Sequence, residues 1–158
     1  MMEMRVTKNT GKPHIILYQR DDGSQTWMQS DDFFVMHDLS HYALETTLGY
    51  TTAFMGMLNG GIDIKDFEDR EKRKQIIVSN EAAYAENMAN LFLTEIMQGN
   101  FENFNDVSRQ AFETSWKNFP PPHLSEEEII SVRIFLRQLL KEWKELPAGE
   151  TMKLTFEI

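Results

Sequence analysis

The chain has 158 residues, no cysteine and a formal net charge of −9, long enough to bury roughly two thirds of its unfolded surface without disulfides or a structural metal. The lack of cysteine excludes disulfides, thiolate zinc sites and cysteine nucleophiles, so any metal must be held by nitrogen and oxygen. The acidic balance argues against nucleic acid or anionic lipid as a partner, because both reward clustered Lys and Arg.

The run Arg70-Glu71-Lys72-Arg73-Lys74 follows Asp66, Glu68 and Asp69 and reads as a solvated helix end. No segment approaches the ~20 apolar residues of a membrane span, and the start lacks a basic end followed by an apolar run. The expectation is a cytoplasmic protein without a membrane partner.

In chain order, strands are predicted over 4–7, 14–19 and 25–28, the last two joined by the tight-turn sequence Asp21-Asp22-Gly23-Ser24. Asp31 or Asp32 caps a helix that runs to about Leu48, and Gly49 stops it. Shorter helical pieces cover 52–58 and 64–74. A stronger helix opens at Asn80, with Ala85, Met88, Ala89, Phe92 and Ile96 on one stripe, and ends at Gly99. A further helix over 102–119 offers Val107, Ala111 and Trp116 to the core before three prolines forbid continuation.

Ser125-Glu126-Glu127-Glu128 is a capping box. Behind it Ile129, Val132, Leu136, Leu139, Leu140, Trp143 and Leu146 mark an amphipathic helix. The segment 152–158 alternates apolar and polar residues and is the clearest strand. A lone terminal strand needs a partner, and the N-terminal hairpin is the nearest supply. The fold class is therefore α+β: one domain over 1–158, with strands in 1–30 and 152–158 forming a small, mostly antiparallel sheet. Residues 31–146 form a helical middle of five to six helices.

Chemistry concentrates in the first long helix, whose sequence is Phe34-Val35-Met36-His37-Asp38-Leu39-Ser40-His41-Tyr42-Ala43-Leu44-Glu45. At ~100° per residue His37, Asp38, His41 and Glu45 share one arc, while Val35, Leu39 and Ala43 lie opposite, so the polar arc is partly enclosed and must find partners. One reading is a polar network in which His41 bonds Glu45 or Asp38 and the protein is a small binding or interaction module. The other is a divalent metal such as zinc held by His37 and His41, because their i,i+4 spacing is that of His-Glu-x-x-His. Asp38 then stands at the general-base position, one methylene short. Glu45 lies about 12 Å along the axis from His37, so the third ligand has to come from another element, with Glu81 and Glu86 the first candidates. A third possibility is a homo-oligomer joined through the helix that carries Trp143.

Three resemblances bear on this helix. Asn80-Glu81-Ala82-Ala83 looks superficially like the second-helix Glu motif of thermolysin-like peptidases, which implies a metal-dependent hydrolase with His37, His41 and Glu81 as ligands. His37-Asp38 resembles the doublet of HD-domain phosphohydrolases; those are all-helical and use an earlier His and a later Asp, for which this chain offers only His14, in a strand, and Asp106. His37-Asp38-Leu39-Ser40-His41, Glu45, Leu48-Gly49 and Phe54-Met55-Gly56 together resemble a family of small uncharacterised bacterial proteins with the pattern His-Asp-Leu-x-His-x-x-x-Glu, a Leu-Gly step and then Gly-Phe-Trp-Gly. This chain has Ala53 and Met55 where that pattern has Gly and Trp. The last resemblance implies no activity, but it implies that the helix and the Gly56 segment belong together, with Gly56 letting that segment approach the helix closely.

Overall fold

The computed structural model describes residues 1–76, 78–115 and 121–157. Four strands, β1 (Met2–Thr7), β2 (His14–Gln19), β3 (Gln25–Ser30) and β4 (Thr151–Phe156), form one antiparallel sheet in the order β3-β2-β1-β4. The two chain ends thus meet in the sheet, with Met4 opposite Leu154 and opposite Tyr18 on its other side. Period-two alternation puts Met2, Met4, Val6, Ile16, Tyr18, Met28, Met152 and Phe156 on the covered face. Ile158, the last residue of the predicted terminal strand, lies outside the described residues.

The described residues also form six α-helices, α1 (Asp32–Leu48), α2 (Phe54–Asn59), α3 (Arg70–Gln75), α4 (Asn80–Gln98), α5 (Phe104–Ser115) and α6 (Glu126–Glu145), of which α1 and α2 pack directly against the sheet. Asp31 caps α1 by accepting from the Phe34 amide at 3.0 Å, and Gly49, at φ 71°, ends it by donating to the Glu45 carbonyl. Every residue from Asp38 to Glu45 is buried, because α1 lies on the sheet and packs against both α4 and α6. A helix covered all round has no solvated face on which to place polar groups. Its histidines and carboxylates must therefore pair inside the protein.

Elsewhere the structure departs from the sequence in particular places. The piece predicted over 64–74 divides into a 3-10 turn (Ile64–Phe67) and α3, because the Asp69 side chain accepts from the Glu71 and Lys72 amides and starts a new helix. On α5 the buried residues are Phe104, Ser108 and Phe112, one position round from Val107 and Ala111, which are half-buried. Trp116, and the end of that predicted helix at Phe119, lie outside the described residues. His14, in β2, places its ring edge-on to Trp143 at 4.9 Å and pairs with Asp32 at 2.8 Å. Trp143 is buried, so the apolar side chains that α6 leaves exposed are Ile130 and Ile134. Among the described residues, no helix is long and apolar enough to cross a membrane.

Candidate metal centre

The site starts from the i,i+4 geometry of α1, which sets the His37 and His41 rings one above the other, with centroids 4.7 Å apart. His41 is 1 % exposed and has a carboxylate on each side: Nδ1 meets Glu45 Oε2 at 2.8 Å and Nε2 meets Glu86 Oε2 at 2.9 Å. His37 repeats the arrangement at the mouth, with Nδ1 3.2 Å from Asp38 Oδ1 and Nε2 3.6 Å from Glu86 Oε1. Each imidazole is held from behind by a carboxylate of its own helix, and both Nε2 atoms point to one carboxylate of α4. The possible ligand atoms of His37, His41 and Glu86 all lie within 4.8 Å of one another.

The two rear carboxylates are themselves fixed. Asp38 Oδ2 accepts from the Tyr18 hydroxyl at 2.8 Å, which ties the site to β2. Glu45 is fully buried, and its Oε1 accepts from the Met55 amide at 2.9 Å. That amide belongs to the first turn of α2, where helical N–H groups have no partner within the helix. Ala53, the N-cap residue, has no side chain to cap them, so Glu45 serves as the cap from another helix. Phe54 then lies over the His41 ring at 4.9 Å.

Electrostatics follow from these partners. Burial opposes a charge on His41, but the hydrogen bonds and charges of Glu45 and Glu86 outweigh it and raise its pKa to about 10. The metal-free cluster therefore holds an imidazolium at neutral pH, with both ring N–H groups donating. Burial also opposes protonation of His37, and Asp38 and Glu86 reverse that and raise its pKa. Glu86 is held well below the usual carboxylate range: burial pushes it up, and the bonds from the two histidines more than compensate. The Tyr18 phenol is pushed well up by burial and by the adjacent Asp38 charge, so it acts as a hydrogen-bond donor. Tyr18→Phe is expected to cost about 1–2 kcal/mol in urea unfolding, because it strips a buried carboxylate of one of its two partners.

Of the residues singled out in the sequence, His37, Asp38, His41 and Glu45 come together, and Glu86 joins them. Glu81 is elsewhere: its Oε1 accepts from the Thr51 and Thr52 amides, at 3.0 Å each, and from the Thr52 hydroxyl at 2.8 Å. Asp38 sits behind the His37 ring rather than on its Nε2 side. The sequence marks Tyr18 only as a strand residue and Phe54 only as the Phe of the Phe54-Met55-Gly56 segment, neither of them as part of the site.

A cleft of about 550 Å³ opens over the two Nε2 atoms, with apolar walls that include Met28, Phe34, Phe54, Ile64, Phe67 and Val78. No family model, curated protein or solved structure matches this chain. The chemistry must be read from these side chains.

Proposed function

We propose that this protein binds a single divalent metal ion, zinc being the best match, through His37, His41 and Glu86, and presents it to a small molecule in the apolar cleft. The observation that supports this reading is the double carboxylate-histidine arrangement. In metal sites the imidazole nitrogen away from the ion donates to a carboxylate or carbonyl, which fixes the tautomer and the ring plane. Here both histidines have that rear partner, and both front nitrogens face a third donor. Tetrahedral zinc with ~2.0–2.1 Å bonds sets ligand atoms about 3.3 Å apart. The candidate ligand atoms lie within 4.8 Å of one another, so the cluster would draw together to reach that spacing. Two nitrogens and one carboxylate leave a fourth position toward the cleft, where an ion can act as a Lewis acid on a bound oxygen. In this reading Asp38 orients His37 and is not the general base.

A metal-free polar network is the competing use of the same residues, favoured by the 2.9 Å contact that already joins His41 to Glu86. The test is metal content of protein purified without chelator or affinity tag, followed by titration with Zn(II). The parent is expected to hold about one equivalent and to gain thermal stability with added zinc. His37→Ala/His41→Ala, verified as folded by circular dichroism, is expected to hold none, and Asp38→Asn to bind about 10–100-fold more weakly. A folded parent that takes up no zinc, manganese, iron or nickel even from added salts would leave the cluster as a structural network.

A further inference from the structure

Lining the cleft are the cluster of His37, His41 and Glu86 and, exposed at the rim, Arg73 of α3. The other residues of that basic run are paired or remote from the cleft: Lys72 reaches Asp66 and Lys74 reaches Glu71, while no carboxylate among the described residues pairs with the Arg73 guanidinium. Core packing does not explain its position either, since α3 buries none of its six residues. What α3 adds to the molecule is a charged rim on an apolar cavity, and the cavity volume falls within the roughly 300–1,000 Å³ of small-molecule sites.

We propose that the cleft takes an extended apolar molecule with a carboxylate at one end, received by Arg73, and an oxygen donor at the other, offered to the ion held by His37, His41 and Glu86. This inference rests on the metal reading above. A guanidinium matches a planar carboxylate with two parallel N–H donors, whereas a phosphate would call for more cations than one arginine. The apolar side chains that line the cleft select a hydrocarbon middle over a sugar or a peptide rich in amides, whose polar groups would be left unpaired there. Glu68 stands on the same rim. It faces the shallow groove beside Lys12 and Asp31 as well, and it disfavours a second anionic group on the ligand's rim end.

The test uses zinc-loaded full-length protein and the monohydroxamates of adipic, suberic and sebacic acid, which carry a zinc-binding group and a carboxylate at opposite ends of chains of increasing length. Octanohydroxamate, which lacks the carboxylate, is the control. Zinc binding is measured first, without any organic ligand, so that loss of the metal reading is seen separately; a parent that binds no zinc removes the metal contact and overturns this inference with it. With zinc bound, Arg73→Gln is expected to weaken the best-fitting monohydroxamate about fivefold to tenfold and to change octanohydroxamate by less than twofold, while Glu68→Gln leaves the former unchanged or tighter. Arg73 is exposed on a short surface helix, so its replacement does not endanger folding. Equal affinities of parent and Arg73→Gln for all three monohydroxamates would overturn the inference and leave the metal site standing.

Discussion

Glu45→Ala is expected to lower the unfolding free energy of the metal-free chain by about 3–5 kcal/mol, the cost of removing one partner from a buried charged pair. Glu45 is fully buried, accepts from His41 on one oxygen and caps α2 through Met55 on the other. Alanine leaves the His41 Nδ1–H and the Met55 N–H without acceptors at a site that is fully buried, and it leaves a void where the Glu45 side chain was. Glu45→Gln separates these effects. The amide oxygen can still accept one of the two bonds, so its cost is expected at about 1–2 kcal/mol. Urea unfolding of the parent and both variants checks the order. Equal stability of the parent and the alanine variant would mean that the His41–Glu45 contact contributes nothing to folding.

The same pair makes stability depend on pH, and the sign follows from the direction of each shift. The His41 pKa is raised in the folded state from 6.5 to about 10, so its contribution is fully present below pH 6.5 and is lost as pH rises toward 10. Glu86 is shifted the other way, so its contribution is present above its ordinary value of 4.5 and is lost as pH falls below that. The metal-free chain should therefore be most stable between about pH 5 and 6.5 and weaken steadily on the alkaline side. In Glu45→Gln that alkaline slope should flatten, because one of the two charges holding the proton on His41 is gone.

The sheet was legible from local signals. Alternation in 152–158 and the Asp-Gly turn after β2 are properties of a few adjacent residues, and joining the two chain ends needed only the rule that a strand must have a partner. The helix face that carries His37, Asp38, His41 and Glu45 was legible for the same reason, since a helical period fixes which residues share an arc. The depth of α1 was visible only as apolar residues on more than one side. What buries its middle, from Asp38 to Glu45, is its packing against both α4 and α6, a relation among elements far apart in the chain.

The third carboxylate shows where periodicity stops. Glu81 lies about 20–40° from the angular position of Phe92 and Ala85 on the α4 wheel, and by angle alone it faces α1. It sits in the first turn of α4, however, level with the loop after α1, and it bonds Thr51 and Thr52 there. Glu86, beside the buried Ala82 and Ala89, is level with the histidines. Angle is written in the sequence, and the height of one helix along another is not. The polar network and the metal site also looked like alternatives in the sequence. In the fold the bond from His41 to Glu45 and the contact with Glu86 use opposite ring nitrogens, so the bond to Glu45 is compatible with either use.

Gly56→Ala is expected to destabilise the chain by about 2–4 kcal/mol, at or beyond the upper end for overpacking, and to weaken zinc binding along with it. A Cβ at Gly56 would stand 1.9 Å from the Thr51 carbonyl oxygen and 2.6 Å from its carbon. The φ of Gly56 is not positive, so the cost is steric and one of the two segments must move by more than an ångström. The loop at Thr51 cannot yield easily, because Glu81 holds two of its amides and the Thr52 carbonyl accepts from the Ser79 hydroxyl. The segment that shifts is then α2, which carries Met55 away from Glu45 and Phe54 away from the His41 ring. The close approach expected between Gly56 and the His helix is instead made to the loop that leads into α2, and α2 meets the site through the Met55–Glu45 bond. Gly60→Ala is the matching control: its Cβ would meet the Gly56 carbonyl oxygen at 3.3 Å, and its cost is expected to stay near or below about 1 kcal/mol. Denaturant unfolding and zinc titration on both variants read the two effects together. A Gly56→Ala protein as stable as Gly60→Ala, with unchanged zinc affinity, would show that α2 can move without disturbing Glu45, and that the coupling from this glycine to the histidines does not exist.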